Sequence, residues 1–168
     1  IAGSSLSFAS AVYQHSVTGY AATSSSSSGG NYHRDFSTNA IAAWQTAAAS
    51  NREIWVSILI KANTNSTANL GVGLVLKAHS GFNDLVIGAA AFNGDKWGYS
   101  DGAVYGSGQL SDVVRSNAVV KFTMQFTYAS GGTTVKGYVD TDGDPTTLPT
   151  SFGNNSLGTK PTFYGVRL

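Results

Sequence analysis

From Val119 to Tyr128 the chain alternates without a break. Val120, Phe122, Met124, Phe126 and Tyr128 fall on one side, and Lys121, Thr123, Gln125 and Thr127 on the other. A period of two with one apolar and one polar face predicts a half-buried antiparallel strand. Ser130-Gly131-Gly132 interrupts the pattern, and Thr133 to Asp140 resumes it, with Val135 and Val139 set against Lys136 and Tyr138. The two segments predict a β-hairpin. Ile54 to Lys61 predicts another strand, with Ile54, Val56, Ile58 and Ile60 on one face and Trp55, Ser57, Leu59 and Lys61 on the other. Apolar groups on both of its faces predict a central position in a sheet.

Shorter strands are predicted at Leu70 to Lys77 and Asp84 to Ala89, joined by the loop His79-Ser80-Gly81-Phe82. Lys96 to Ser100, Val104 to Gly106 and Thr162 to Leu168 follow, with weaker segments at Ser5 to Phe8 and His33 to Phe36. Helical patterning is confined to Ala40 to Ala49, around Ile41 and Trp44, where Ser37, Thr38 or Asn39 supplies a cap. The serine run from Ser24 that ends in Gly29 and Gly30 predicts a flexible surface loop. Short strands separated by turns, with no linker between bodies of comparable size, predict one domain over residues 1–168. Its class is all-β, a two-sheet antiparallel β-sandwich or a barrel.

Composition narrows the function classes. Charged residues are 11% of the chain, less than half the roughly 25% of an ordinary soluble domain. The polar surface must therefore come from Ser, Thr, Asn, Gln and Gly, as on many exported proteins. A formal net charge of +1, with ten scattered basic residues, excludes a strong field for phosphate or anionic lipid. No nucleic-acid partner is expected. The absence of cysteine removes disulfides, thiol catalysis and Cys-based zinc sites. No stretch approaches the roughly 18 apolar residues of a membrane span. A start at Ile1 rather than Met fits a processed precursor, and a secreted or cell-surface location is expected.

The order of segments resembles the concanavalin A-like (laminin-G-like) jelly-roll domains of exported bacterial proteins. Arg52-Glu53-Ile54-Trp55-Val56-Ser57-Ile58-Leu59-Ile60-Lys61 is similar to a Trp-hydrophobic-Ser strand of that family. Leu85-Val86-Ile87-Gly88 with Trp97-Gly98-Tyr99 resembles its Phe-Ile-Gly and Trp-Gly pair. Gly137-Tyr138-Val139-Asp140 with Asp144-Pro145 resembles its Trp-Val-Asn-Pro turn, and Phe163-Tyr164-Gly165-Val166-Arg167-Leu168 its closing strand. The likeness covers about Gly30 to Leu168 and implies a two-sheet antiparallel jelly roll, a fold that hosts lectins, adhesive modules, glycanases and structural subunits. The family's aromatic opening strand has no counterpart before Ile1 to Phe8. A domain lacking that strand would leave an open sheet edge that invites pairing with another chain.

Catalytic constellations are sparse. Glycan hydrolysis needs paired carboxyl groups, and Glu53 is the only glutamate, with no Glu-x-Asp-x-x-Glu spacing. His15, His33 and His79 lie in no alternating Arg/Gln/His/Tyr strand of the kind a lyase would use, although Tyr32 and Arg34 flank His33. There is no nucleotide loop with fingerprint glycines and lysine. The chain is therefore expected not to be an enzyme. Asp140-Thr141-Asp142-Gly143-Asp144 resembles the start of a calcium loop, because Asp140, Asp142 and Asp144 offer hard oxygens at alternating positions. The EF-hand pattern fails where Ser151 replaces its bidentate Glu, and an ordinary Asp-Gly turn is the competing reading.

Trp97 and Tyr99, with Asn93, Asp95, Asp101 and Tyr105 around them, form the candidate sugar-binding cluster, an aromatic platform ringed by polar groups. The competing reading makes Trp97 a core or loop-pinning residue; Trp44 and Trp55 are expected in the core. The face of Lys121, Thr123, Gln125 and Thr127 either lines a groove or is simply solvated. Two functions follow: a non-catalytic, lectin-like or adhesive module binding glycan, with calcium as a candidate cofactor, or a self-assembling structural subunit whose partners are copies of itself.

Overall fold

The computed structural model describes residues 33–61, 73–89, 96–100, 109–114, 116–141 and 149–167. Along the chain run β1 (His33–Asp35), α1 (Thr38–Ala49), β2 (Glu53–Lys61), β3 (Gly73–Ala78), β4 (Leu85–Ala89) and β5 (Lys96–Ser100). They are followed by β6 (Gln109–Val114), β7 (Val119–Ala129), β8 (Gly132–Asp140), β9 (Phe152–Leu157) and β10 (Phe163–Arg167). Two antiparallel sheets result, one ordered β1-β10-β3-β4-β5-β6 and the other β2-β7-β8-β9. The predicted strands Ser5 to Phe8 and Val104 to Gly106, and the loop Ser24 to Gly30, lie outside the described residues.

The alternation of β7 decides how the sheets meet. Its apolar side chains Val120, Phe122, Met124, Phe126 and Tyr128 are all buried. They join Ile60 of β2 and Val135 of β8 from their own sheet, and Leu76, Leu85, Ile87, Trp97, Tyr99 and Phe163 from the other. One core between two sheets makes the protein an all-β sandwich. The hairpin from β7 to β8 turns where the chain predicted, at Ser130-Gly131, with Ala129 opposite Gly132. Gly132 has φ of 138°, and a Cβ there would run into the Leu157 backbone of β9, so only glycine fits the turn exit.

The helix is longer than a single turn. Ser37 caps it by accepting a hydrogen bond from the Ala40 backbone N–H at 3.3 Å. Trp44 is its main anchor, edge-on to Phe126 of β7 (centroids 5.0 Å apart) and to Phe163 of β10 (4.9 Å). One indole thus ties the helix to both sheets. Lys160 donates to the Ala48 carbonyl and the Asn51 side chain, which fastens the helix exit to the turn before β10.

Three features depart from the sequence expectations. Among the described strands β2 ends its sheet rather than lying within it. β6 and β9 appear where no strand was predicted. The β9 segment, Phe152-Gly153-Asn154-Asn155-Ser156-Leu157, has little intrinsic strand preference. It is held by β8, and Gly153 gives the backbone room against the Tyr99 hydroxyl and Gln109 of the opposite sheet.

The connection from β3 to β4 carries the clearest charge effect. Asp84 accepts from the Ala78 backbone N–H at 2.9 Å and forms an ion pair with Lys77. Burial pushes its carboxyl up, but the Lys77 and Ala78 hydrogen bonds and the charges of Lys77 and Arg167 outweigh this and hold it below the ordinary carboxylate value. A carboxyl lowered in the folded state stabilises above its unfolded value of about 3.9, and that contribution is lost as pH falls through the folded value. Asp84→Asn should therefore lower Tm by about 2 to 4 °C at neutral pH. The deficit should shrink in melts run well below about pH 4; a constant deficit would remove the charge from the account.

Candidate functional site

The residues that alternate away from the core on β2, β7 and β8 form the site. Register places them in rows across the sheet. Glu53, Thr127 and Thr134 make one row, continued by Ser156 of β9. Trp55, Gln125 and Lys136 make the next, and Ser57, Thr123 and Tyr138 the third. Leu59 joins Lys121 and Asp140 in a further row, and the first three rows are polar apart from one aromatic pair. Trp55 is 44% exposed, whereas Tyr138 beneath it is only 7% exposed. Their rings lie 5.5 Å apart and are tilted by 31°.

A hydrogen-bonded circuit fixes that pair. Tyr138 donates its hydroxyl to Gln125 Oε1 at 2.8 Å. Gln125 Nε2 donates to Glu53 Oε1 at 3.0 Å, which also accepts from the Thr127 hydroxyl at 3.1 Å. Trp55 Nε1 donates to Glu53 Oε2 at 3.3 Å, and stacking of Trp55 on Tyr138 closes the ring. Both neighbours of Gln125 demand the same amide orientation, so the network has a single consistent set of donors. Burial, and then the Glu53 carboxylate, raise the Tyr138 hydroxyl above its ordinary value. It therefore stays protonated, and a donor, across the neutral range. Ser57 and Thr123 share a further hydrogen bond at 2.8 Å beside the pair.

The arrangement offers a flat, immobilised indole face with carboxylate, amide and hydroxyl groups around it. Chemically it can stack on the C–H face of a ring and exchange hydrogen bonds at the rim. Paired acid chemistry has less to work with. Asp140, the other carboxylate on this face among the described residues, stands opposite Lys121, six residues along β7 from the Thr127 that faces Glu53. That spacing is roughly 20 Å of strand, against the roughly 5 to 9.5 Å that separates glycosidase carboxyls.

The predicted cluster around Trp97 requires correction. Trp97 and Tyr99 are 0% and 2% exposed and offer no ring face to a sugar. On β5 both point into the sandwich, where Tyr99 donates its hydroxyl to the Val135 carbonyl at 2.7 Å and packs against Phe152. The loop residues Asn93, Asp95, Asp101 and Tyr105 lie outside the described residues. Of the aspartate loop, Asp140 is buried at the end of β8 and has partners of its own. Asp142 and Asp144 lie outside the described residues. Among the described residues no group of His, Cys, Asp and Glu is arranged to hold a metal ion.

Sequence reasoning put Trp55 in the core, and the structure puts it outside. The signal was present: the strict run Ile54, Val56, Ile58, Ile60 assigns the intervening Trp55 to the face of Ser57, opposite Gln125. The polar side of β7, read as a groove or a solvated face, becomes the floor under that indole.

By architecture the protein is a two-sheet antiparallel β-sandwich, with one helix among the described residues packed on its core. Comparison with protein-family models, curated proteins and solved structures finds no match to this chain. No helix among the described residues is long and apolar enough to cross a membrane.

Proposed function

We propose that the protein is a non-catalytic, extracellular, lectin-like module of the concanavalin A-like jelly-roll kind, and that it takes glycan on the outer face of its four-stranded sheet. The observation that carries this reading is Trp55, a large aromatic held open to solvent by side chains whose own hydrogen bonds are satisfied. An exposed indole costs solvation, and an exposed indole already locked in one orientation spends no further ordering entropy when a ligand arrives. Thr127 on the neighbouring strand, and Thr134 and Ser156 further across the same row, supply hydroxyls suited to sugar, and the wide spacing of Glu53 and Asp140 favours binding over hydrolysis.

The three tryptophans provide the test. Trp44 and Trp97 are buried and Trp55 is exposed. Iodide should quench one component of the fluorescence, and a bound oligosaccharide should shield that component. A panel of plant, algal and bacterial polysaccharides that leaves iodide quenching unchanged would sink the platform.

Self-assembly is the second reading. It is favoured by Val114, 60% exposed on β6 where the six-stranded order ends among the described residues. Light scattering with and without calcium separates the two and also probes the Asp140, Asp142 and Asp144 loop. The lectin reading expects a monomer; ordered large species would promote assembly.

A further inference from the structure

Building on the reading of Trp55 as a sugar platform, we infer that the ligand is an acidic glycan, a pyranose whose carboxylate or sulfate meets the ammonium of Lys136. Trp55, Gln125 and Lys136 occupy one row across three neighbouring strands. Lys136 therefore stands two strands from the indole, about 10 Å at the backbone, which a disaccharide spans. It shares its face of β8 with Thr134 and Tyr138, while the residues between them, Val135 among these, turn inward.

Charge bookkeeping on this face singles out Lys136. Glu53 is satisfied by three donors, from Trp55, Gln125 and Thr127. Lys121 and Asp140 stand opposite each other, and each has partners. Lys136 has no ion-pair partner among the described residues. Glu53 lies one row and two strands away, roughly 12 Å at the backbone, beyond the screening length of about 8 Å at physiological salt. It neither neutralises Lys136 nor strongly repels an anion seated on it.

The face is thus divided. Its β2 side holds a carboxylate fully engaged in orienting the indole, and its β8 side presents a cation with no ionic complement among the described residues. A sugar stacked on Trp55 and extending across β7 would bring a ring substituent to that cation. With a net charge of only +1 the chain exerts little long-range pull on polyanions. Selectivity for the acid must therefore arise from this short-range contact. An ammonium is a compact charge that takes carboxylate and sulfate alike, so the ligand's anion has to be resolved by experiment.

The full chain would be titrated with oligogalacturonate, dextran sulfate and a neutral cello-oligosaccharide of matched length. Wild type should bind an acidic ligand about tenfold more tightly than the neutral one, equivalent to about 1.4 kcal/mol. Lys136→Gln should erase that preference while neutral affinity and Tm stay put. Lys136→Arg should restore it, and added salt should shrink it. Whichever of uronate and sulfate is preferred identifies the anion. Equal affinity for acidic and neutral ligands, or a preference that survives Lys136→Gln, overturns the inference and leaves the Trp55 platform standing. Polyanion binding that survives Trp55→Ala reveals nonspecific charge attraction and also overturns it. Wild type that binds none of the three sugars overturns both.

Discussion

Trp55→Ala is expected to weaken glycan binding about 30- to 100-fold while the protein stays folded. An indole exposes up to about 250 Å², so the open part of Trp55 amounts to roughly 100 Å². Covering that with a sugar ring contributes about 2.5 kcal/mol at 25 cal/mol per Å², which converts to the expected loss at about 1.4 kcal/mol per decade. Stability should change by only about 1 kcal/mol, the contribution of one aromatic contact such as that with Tyr138. Calorimetric titration beside a thermal melt checks both halves. Unchanged affinity in a folded Trp55→Ala protein would move the binding site elsewhere.

The second large effect has the opposite sign pattern. Trp97→Ala should destabilise the fold by about 3 to 5 kcal/mol, because it empties a fully buried indole site between the sheets. In a protein of this size that is a fall in Tm on the order of 10 °C, and it is a large share of a typical stability of about 5 to 15 kcal/mol. Trp97→Phe should be much milder. The indole Nε1–H is buried and finds no acceptor among the described residues. Removing that donor offsets part of the lost volume, since an unsatisfied buried donor costs about 1 to 3 kcal/mol. Chemical denaturation of the two variants measures the contrast, and equal losses would show that the orphan donor carries no penalty. The two tryptophans then separate cleanly: binding is lost at Trp55 and the fold at Trp97.

That separation reverses the core role expected of Trp55 and selects, for Trp97, the core role that competed with the sugar platform, and the reason is physical. The segment Lys96-Trp97-Gly98-Tyr99-Ser100 reads as a short strand among glycines and aspartates, surroundings that suggested an exposed aromatic platform. Antiparallel pairing with Ala89 and Ile87 seats that strand inside the sheet, and alternation then sends both rings to the face that meets Val135 and Phe152. Trp55 was expected inside because it is large and apolar. Its burial was decided by neighbours remote in sequence: Gln125 opposite it, and Tyr138 one strand further on. The circuit through Glu53 joins residues more than 70 positions apart, and no local pattern encodes such a meeting.

Other elements show the same division. The alternation of β7 and β8 and the glycine turn between them are local properties, set by side-chain period and by the backbone freedom of Gly132, and they were legible directly. So was a cap before the helix, although only the structure chose Ser37 over Thr38 and Asn39. β9 was not, because its Gly, Asn and Ser residues become a strand only when β8 offers hydrogen bonds. The end position of β2 among the described strands was also hidden, since apolar residues on both faces are as consistent with an outward tryptophan as with a central strand.

By itself, then, the sequence determined the all-β class, the strong hairpin, the apolar stripe of the core and the shortage of paired acids, all of which follow from local period and composition. Only the tertiary structure decided which aromatic is buried and which is open, because exposure depends on what the opposing sheet covers. It alone placed Glu53, Gln125 and Tyr138 around Trp55 and left Lys136 near them without an ion-pair partner among the described residues, because register between distant strands is set by the packing of the whole sandwich.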